Sequence, residues 1–133
     1  MSKRMTKGEL QESMGAFNPV GHVVLAFADD KAAGEAAKAV RDAGFGAEDV
    51  LTFTSGELFP DLKEMMRNAS GAAGFGYEIT LMRRYMTLAS EGVGWVVVYA
   101  PDDAQVATVK DIAVRLGARS AVSYGRLVHE DLT

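Results

Sequence analysis

A glycine-rich stretch next to arginines comes closest, by residue type, to a binding site. Its members are Gly71, Gly74, Gly76, Arg83 and Arg84. The glycines precede a predicted helix, and the free N–H groups of a helix N-terminus bind phosphate or carboxylate groups. The order is helix, loop, helix, however, which does not fit a dinucleotide or P-loop fingerprint, and Glu78 places a negative charge at the same helix end. The pattern favours a tight turn between helices, with a small-anion site as the alternative.

Two histidines could share one end of the predicted sheet. His22 begins the first predicted strand, and His129 lies just beyond the fourth. If these strands are antiparallel neighbours, both imidazoles reach the same sheet end and could join Glu130 or Asp131 around a metal ion. A metal site needs three or four converging ligands, and the pattern supplies only two histidines. The sequence therefore favours ordinary strand-end histidines, and we expect neither a metal nor another cofactor.

Groups with the reactivity of a catalytic site do not form a recognisable set. Cysteine is absent, so the chain has no disulfide, no thiolate ligand and no cysteine nucleophile. No Ser/His/Asp grouping stands out. The acidic pairs Asp29–Asp30 and Asp102–Asp103 each precede a predicted helix, where a carboxylate accepts hydrogen bonds from the first turn. We therefore expect a protein that is not an enzyme.

Composition indicates one globular domain. The chain has 133 residues, of which 48% are hydrophobic, enough to build a core without disulfides. A net charge of −4 disfavours general nucleic-acid binding. The N-terminus is basic but lacks the apolar stretch of a secretory signal, and the longest apolar run, residues 93–101, is too short to span a bilayer. We expect a cytoplasmic protein without a membrane partner.

A strand–helix–strand pattern occurs twice. In the first copy, an apolar run at residues 22–28 predicts a strand, Lys31–Ala43 a helix with a buried stripe, and residues 50–53 a second strand. The stripe consists of Ala33, Ala36, Ala37 and Val40. Gly44 follows this helix, as glycine commonly follows a helix end.

The second copy follows the same order. It predicts a strand at residues 95–100, a helix closed by Gly117 and a last strand at Ser120–Tyr124. The apolar stripe of the helix is predicted to be Val106, Val109, Ala113 and Leu116. This agreement between the two patterns suggests an internal duplication.

Two such units predict an α+β fold, an α/β sandwich of the ferredoxin-like βαββαβ type. Strands one and three are expected to lie adjacent and parallel at the sheet centre. Residues 1–18 are predicted to be a flexible tail, and 19–133 a single domain. Residues 55–92 are predicted to form a helical hairpin inserted between strands two and three. A different α/β arrangement is the alternative.

Alternation along the strands predicts a bulky apolar sheet face. It places Val23, Leu25 and Phe27 on one face with Trp95, Val97 and Tyr99. Aromatic residues on strands one and three are what RNA-recognition domains use to stack bases. The third strand lacks the basic and aromatic residues of their motif, because Glu91, Val93 and Val98 stand in those places. A face covered by the inserted helices or by a second subunit is the favoured interpretation.

The residue patterns together resemble the bacterial general-stress (heat-induced stress) protein family over residues 20–132. The resemblance is carried by the opening Val23–Gly44, the Tyr77–Gly92 helix leading into residues 94–99, the helix Asp103–Gly117 and the ending Gly125–Leu132. It implies a ferredoxin-like domain linked to stress responses, without an established chemistry. The Met-rich insertion and the N-terminal tail depart from the family pattern.

Three functions remain as hypotheses. The first is a non-enzymatic, stress-associated protein that acts through self-association, as a homodimer, or through a protein partner. Its predicted contacts are Leu25, Phe27, Trp95, Tyr99, Met65, Met66, Met82 and Met86. The second is a regulatory domain that binds a small anionic metabolite at the Gly71–Gly76 loop and Arg83/Arg84, and the third is an RNA-binding module.

Overall fold

An antiparallel sheet with two helices packed on one face forms the domain. The computed structural model describes residues 21–54, 84, 87, 88, 90–124 and 129–131. The strands are β1 (His22–Phe27), β2 (Val50–Phe53), β3 (Gly94–Tyr99), β4 (Ser120–Tyr124) and β5 (His129–Asp131). The helices are α1 (Asp30–Asp42) and α2 (Asp103–Arg115), and a 3₁₀ turn at Ala47–Asp49 precedes β2.

The strand order is β2-β3-β1-β4-β5, and every neighbouring pair is antiparallel. The expectation that strands one and three are adjacent is confirmed, but the expectation that they are parallel is wrong. Each helix crosses over the strand that lies between the two strands it connects: α1 crosses over β3, and α2 crosses over β1. β3 therefore lies between β1 and β2 and is antiparallel to both. β5, at the outer side of β4, is an additional strand that the sequence patterns did not predict.

Side-chain caps begin both helices at the predicted acidic pairs. Asp29 Oδ1 accepts a hydrogen bond from the Ala32 N–H at 2.8 Å. Asp102 Oδ1 accepts one from the Gln105 N–H at 2.8 Å, while Gln105 Oε1 accepts from the Asp102 N–H at 3.4 Å, which completes a capping box. After the helices, Gly44 and Gly117 have φ of 109° and 76°, in the left-handed region that glycine tolerates.

The helices bury their apolar stripes against one side of the sheet, which we call the first face. The α1 stripe is as predicted: Ala33, Ala36, Ala37 and Val40 are all buried. In α2 the buried residues are Val109, Ile112 and Ala113. The prediction for Leu116 is wrong, because this residue follows the last helical residue and is 46% exposed.

The first face holds the main core of the described residues. Its strand residues are Val23, Leu25, Phe27, Val50, Val96, Val98 and Ala121, and the helix residues above pack on them. Small alanines on α1 allow the helix to lie close to the sheet. One close approach between α1 and the sheet lies where β3 begins.

Gly94 lies where β3 passes beneath the start of α1. A Cβ at this position would lie 2.7 Å from the Ala33 Cβ, 2.7 Å from the Asp29 carbonyl oxygen and 2.9 Å from the Asp30 Cα. Two of these three atoms are backbone, so a side chain could be accommodated only by moving the helix away from the sheet. Glycine is therefore required by space rather than by its dihedral angles.

We expect Gly94→Ala to lower the free energy of unfolding by about 1–3 kcal/mol, the usual cost of overpacking a closed core. Gly34→Ala is the matched control, because an added Cβ at this exposed position of α1 meets nothing within 4 Å. There the exchange should raise stability by about 0.5–1 kcal/mol, since alanine is the better helix former. Urea denaturation of both variants measures the difference, and equal effects would show that the approach at Gly94 is not tight.

Candidate functional site

Strand register assigns the aromatic residues to the side of the sheet opposite the helices, which we call the second face. Directly paired residues of antiparallel strands share a face. Val23 pairs with Val98 and Leu25 with Val96, whereas Ala26 pairs with Trp95. The prediction that Leu25 and Phe27 share a face with Trp95 and Tyr99 is therefore wrong. Both faces are apolar, so alternation within each strand does not show which residues of two strands belong together.

Three rows of paired residues cross the second face. The middle row is Leu51, Val97, Val24 and Val122, and β5 adds the position of Asp131. One end row is Phe53, Trp95, Ala26 and Ser120. The opposite end row is Tyr99, His22 and Tyr124, followed by the position of His129 in β5.

The second face is buried almost as completely as the first. Trp95 and Val122 are 0% exposed, Val24 and Val97 are 1% exposed, and Phe53 is 2% exposed. Among the second-face residues of β1 to β4, only Leu51 and Tyr99 are half-buried. The helices α1 and α2 nevertheless both pack on the first face. The domain thus has a sheet with two buried apolar sides, of which α1 and α2 account for one.

The row at the His22 end brings together three titratable side chains of β1, β3 and β4, which are His22, Tyr99 and Tyr124. His22 is 2% exposed, and its ring centroid lies 5.0 Å from that of Tyr99, with the ring planes inclined by 49°. Tyr124, its partner on β4, is 1% exposed. Gly21, just before His22, forms backbone hydrogen bonds to the segments on both sides of β1. Its N–H donates to the Tyr124 carbonyl oxygen at 2.8 Å, and its carbonyl oxygen accepts from the Ala100 N–H at 2.9 Å.

His22 and His129 occupy the same end row, as the sequence predicted, but not adjacent positions. β4 lies between their strands, and Tyr124 stands at the intervening position. Two strand spacings separate the backbones by about 10 Å. Within the described part of the chain, no three His, Cys, Asp or Glu side chains are grouped so that they could hold a metal ion.

One buried hydroxyl group of the second face has no hydrogen-bond partner among the residues that the structure describes. Ser120 is 1% exposed, and its Oγ neither donates nor accepts. Its neighbour across the row, Ala26, has no polar side-chain atom, although the Ala26 carbonyl accepts a backbone hydrogen bond from Arg119 at 2.7 Å. An unsatisfied buried hydroxyl costs free energy. Sequence reasoning missed Ser120 because a serine in a strand is usually exposed.

The predicted anion site lies almost wholly outside the described residues. Gly71, Gly74, Gly76 and Arg83 all fall there, and only Arg84 is described. Arg84 is helical and half-buried. The geometry therefore neither brings this set together nor separates it, and the anion site stays a prediction.

The predicted association surface divides into three parts. Leu25 and Phe27 lie in the core beneath α1 and α2, so they are not available to another molecule while the helices are in place. Trp95 and Tyr99 lie on the second face. Met65, Met66, Met82 and Met86 fall outside the described residues.

Two other surface features lie on the described part of the chain. A cleft of about 270 Å³ lies between the end of α1 and the start of α2, lined by residues that include Phe45, Asp102 and Gln105. The polar groups of Asp102 and Gln105 are engaged in the capping box. The exposed large hydrophobic residues of the described chain are Val114, at 58%, and Leu116.

An ion pair between Arg119 and Glu91 lies on the surface near the Trp95 end of the sheet. Arg119 Nη2 donates to Glu91 Oε1 at 2.6 Å, joining the turn before β3 to the loop before β4. Both side chains are more than two-fifths exposed. Such exposed pairs contribute at most about 1 kcal/mol, so this contact positions two turns rather than forming a reactive centre. No helix within the described ranges is long and apolar enough to cross a membrane.

Comparison with known proteins gives no indication of function. No family model, no curated protein and no solved structure matches the chain.

We expect Ser120→Ala to leave the free energy of unfolding unchanged or raise it by up to about 1 kcal/mol, because it removes a buried hydroxyl without breaking a hydrogen bond. The matched control is Ala121→Ser, which places a new hydroxyl in the first-face core, where Ala121 is 0% exposed. It should cost about 1–3 kcal/mol. Denaturant unfolding measures both, and a loss at Ser120 as large as that at Ala121 would show that the hydroxyl binds water or another group in solution.

Proposed function

We propose that the protein is a non-enzymatic module that acts by association, first as a homodimer and otherwise with a protein partner. The composition of the second face carries this proposal. From β2 to β4 its central positions are apolar, including Val24, Val97, Val122 and the large ring of Trp95. Because these side chains are already buried, the half-buried Leu51 and Tyr99 are the part of this face left for contact with another molecule. Apolar area of this kind suits packing and association, which gain free energy from its removal from water.

Association on this side of the sheet has accessible points. Leu51 and Tyr99 are half-buried on the adjacent strands β2 and β3, so part of each side chain faces outward. Tyrosine is common at interfaces because it offers a large apolar surface with one polar end. The Met-rich residues 65, 66, 82 and 86 belong to the same proposal, since methionine adapts to irregular partners.

The fold and the biological context are part of the proposal. β3 lies between β1 and β2, and β1 lies between β3 and β4, which is the arrangement of two split βαβ units. This supports a ferredoxin-like domain, with β5 added at one edge and residues 55–92 inserted between β2 and β3. The link to stress responses rests on the resemblance of residues 20–132 to the general-stress family.

Light scattering coupled to size exclusion tests self-association. We expect a mass of twice 14.2 kDa at high protein concentration. Tyr99→Asp and Leu51→Asp should each shift the equilibrium towards monomer, because a carboxylate at the contact would be desolvated without a partner. Leu116→Asp is the matched control, since Leu116 is exposed at the end of α2, away from the second face.

A monomer mass at all concentrations would contradict homodimer formation. A dimer that Leu116→Asp dissociates, while Tyr99→Asp does not, would place the contact on the helical side and contradict the proposed surface. Far-UV circular dichroism of each variant establishes that the comparison is between folded proteins.

A further inference from the structure

The second face is buried although α1 and α2 both pack on the opposite side of the sheet, and this identifies a surface whose occupant can be inferred. The buried side chains extend from Phe53 on β2 to Val122 on β4. The core between the sheet and the helices does not include them. We infer that residues 55–83 of this same chain occupy the second face. This inference does not depend on the proposed association.

Chain connectivity is the first support. β2 ends at Phe53, which pairs with Trp95, and β3 begins one residue before Trp95. The two strand ends are therefore neighbours, and a turn of about two residues would connect antiparallel strands here. The chain instead uses residues 54–93. Both ends of this long connection lie beside the Trp95 row of the second face.

The returning end of the connection supplies the second support. Residues 84, 87, 88 and 90 are helical, and among them Leu88 is 6% exposed whereas Thr87 and Ser90 are exposed. Val93, directly before β3, is 0% exposed. Neither Leu88 nor Val93 belongs to the first-face core. The connection thus has a buried side that is not directed at the helices α1 and α2.

The sequence of the connection fits an apolar face. Leu58, Leu62 and Met65 recur at helical spacing, and Ile79, Met82 and Met86 do so closer to β3. Such amphipathic stripes need an apolar partner surface. Residues 1–20, the other long stretch, enter β1 at His22, which is the opposite end of the face from Trp95.

Trp95 is the only tryptophan of the chain, so its fluorescence reports on this face alone. In the full-length protein we expect blue-shifted emission and protection from acrylamide, both independent of protein concentration. Leu62→Asp should shift the emission to the red and remove much of the protection. Two matched variants should leave both unchanged: Leu116→Asp on α2 and Phe17→Asp near the N-terminus.

Photo-crosslinking provides a readout that does not require a destabilising change. p-Benzoylphenylalanine in place of half-buried Leu51 should crosslink within the monomer to a peptide from residues 55–83. The same group in place of Val114, which is 58% exposed on α2, should not. A crosslink from residue 51 to residues 1–20, or a product of doubled mass, would overturn the inference.

The alternative occupants give distinct fluorescence results. Loss of Trp95 protection on dilution, together with a fall in mass, would identify a second copy as the occupant. Loss of protection in Phe17→Asp but not in Leu62→Asp would identify the N-terminal segment. A monomer with protected Trp95 contradicts homodimer formation and leaves the inference standing, so the two failures are distinguishable.

Discussion

The close approach of Gly94 to the start of α1 is the constraint on which much of this structure depends. The strand β3 begins so close to α1 that a Cβ on Gly94 would clash with Asp29, Asp30 and Ala33. That contact fixes where α1 leaves the sheet relative to β3, and Gly94 pairs with Phe27 at the same level. With Gly94 opposite Phe27, Val96 and Val98 face the helices and Trp95, Val97 and Tyr99 face away. The assignment of every β3 side chain follows from this register.

The two halves of the chain use the same local chemistry to start and end their helices. An aspartate caps each helix start, and a glycine with positive φ follows each helix end. These devices stabilise the helices by about 1 kcal/mol per cap and set their lengths. They explain stability, and they place no reactive group. The asymmetry of the molecule lies elsewhere, in the connection between β2 and β3 and in the added strand β5.

The second face changes how the aromatic residues are interpreted. Trp95 lies on the side of the sheet that would stack bases in an RNA-recognition domain, yet its side chain is fully buried. Stacking on a base requires an exposed ring face. The side chains on both sides of the sheet are buried, and full burial of a Val or Phe side chain contributes about 1.5–3 kcal/mol. Burial on the second face therefore adds to the stability of the domain.

Much of the local structure could be predicted from the sequence alone, because it depends on neighbouring residues. The run His22–Phe27, the alanine stripe of α1, the capping aspartates and the β2 strand all appear as predicted. The continuous apolar run of β1 also agrees with its central place, where every residue is buried. The candidate site was predicted less well. Trp95 and Tyr99 were recognised as an aromatic pair, but Leu25 and Phe27 were assigned to the same face in error.

Only the tertiary structure decided which residues of different strands share a face. In β1 and β3 both sides are apolar, so a register shift of one residue leaves each hydrophobic pattern unchanged while exchanging the faces. The position of Gly94 under α1 resolves this ambiguity, because a larger residue would not fit there. The buried hydroxyl of Ser120 and the pairing of His22 between Tyr99 and Tyr124 follow from the same register. The sequence by itself determined the helices, their caps and most of the strands, since these depend on contacts a few residues apart. The tertiary structure determined the two faces, since these depend on contacts between segments far apart in the chain.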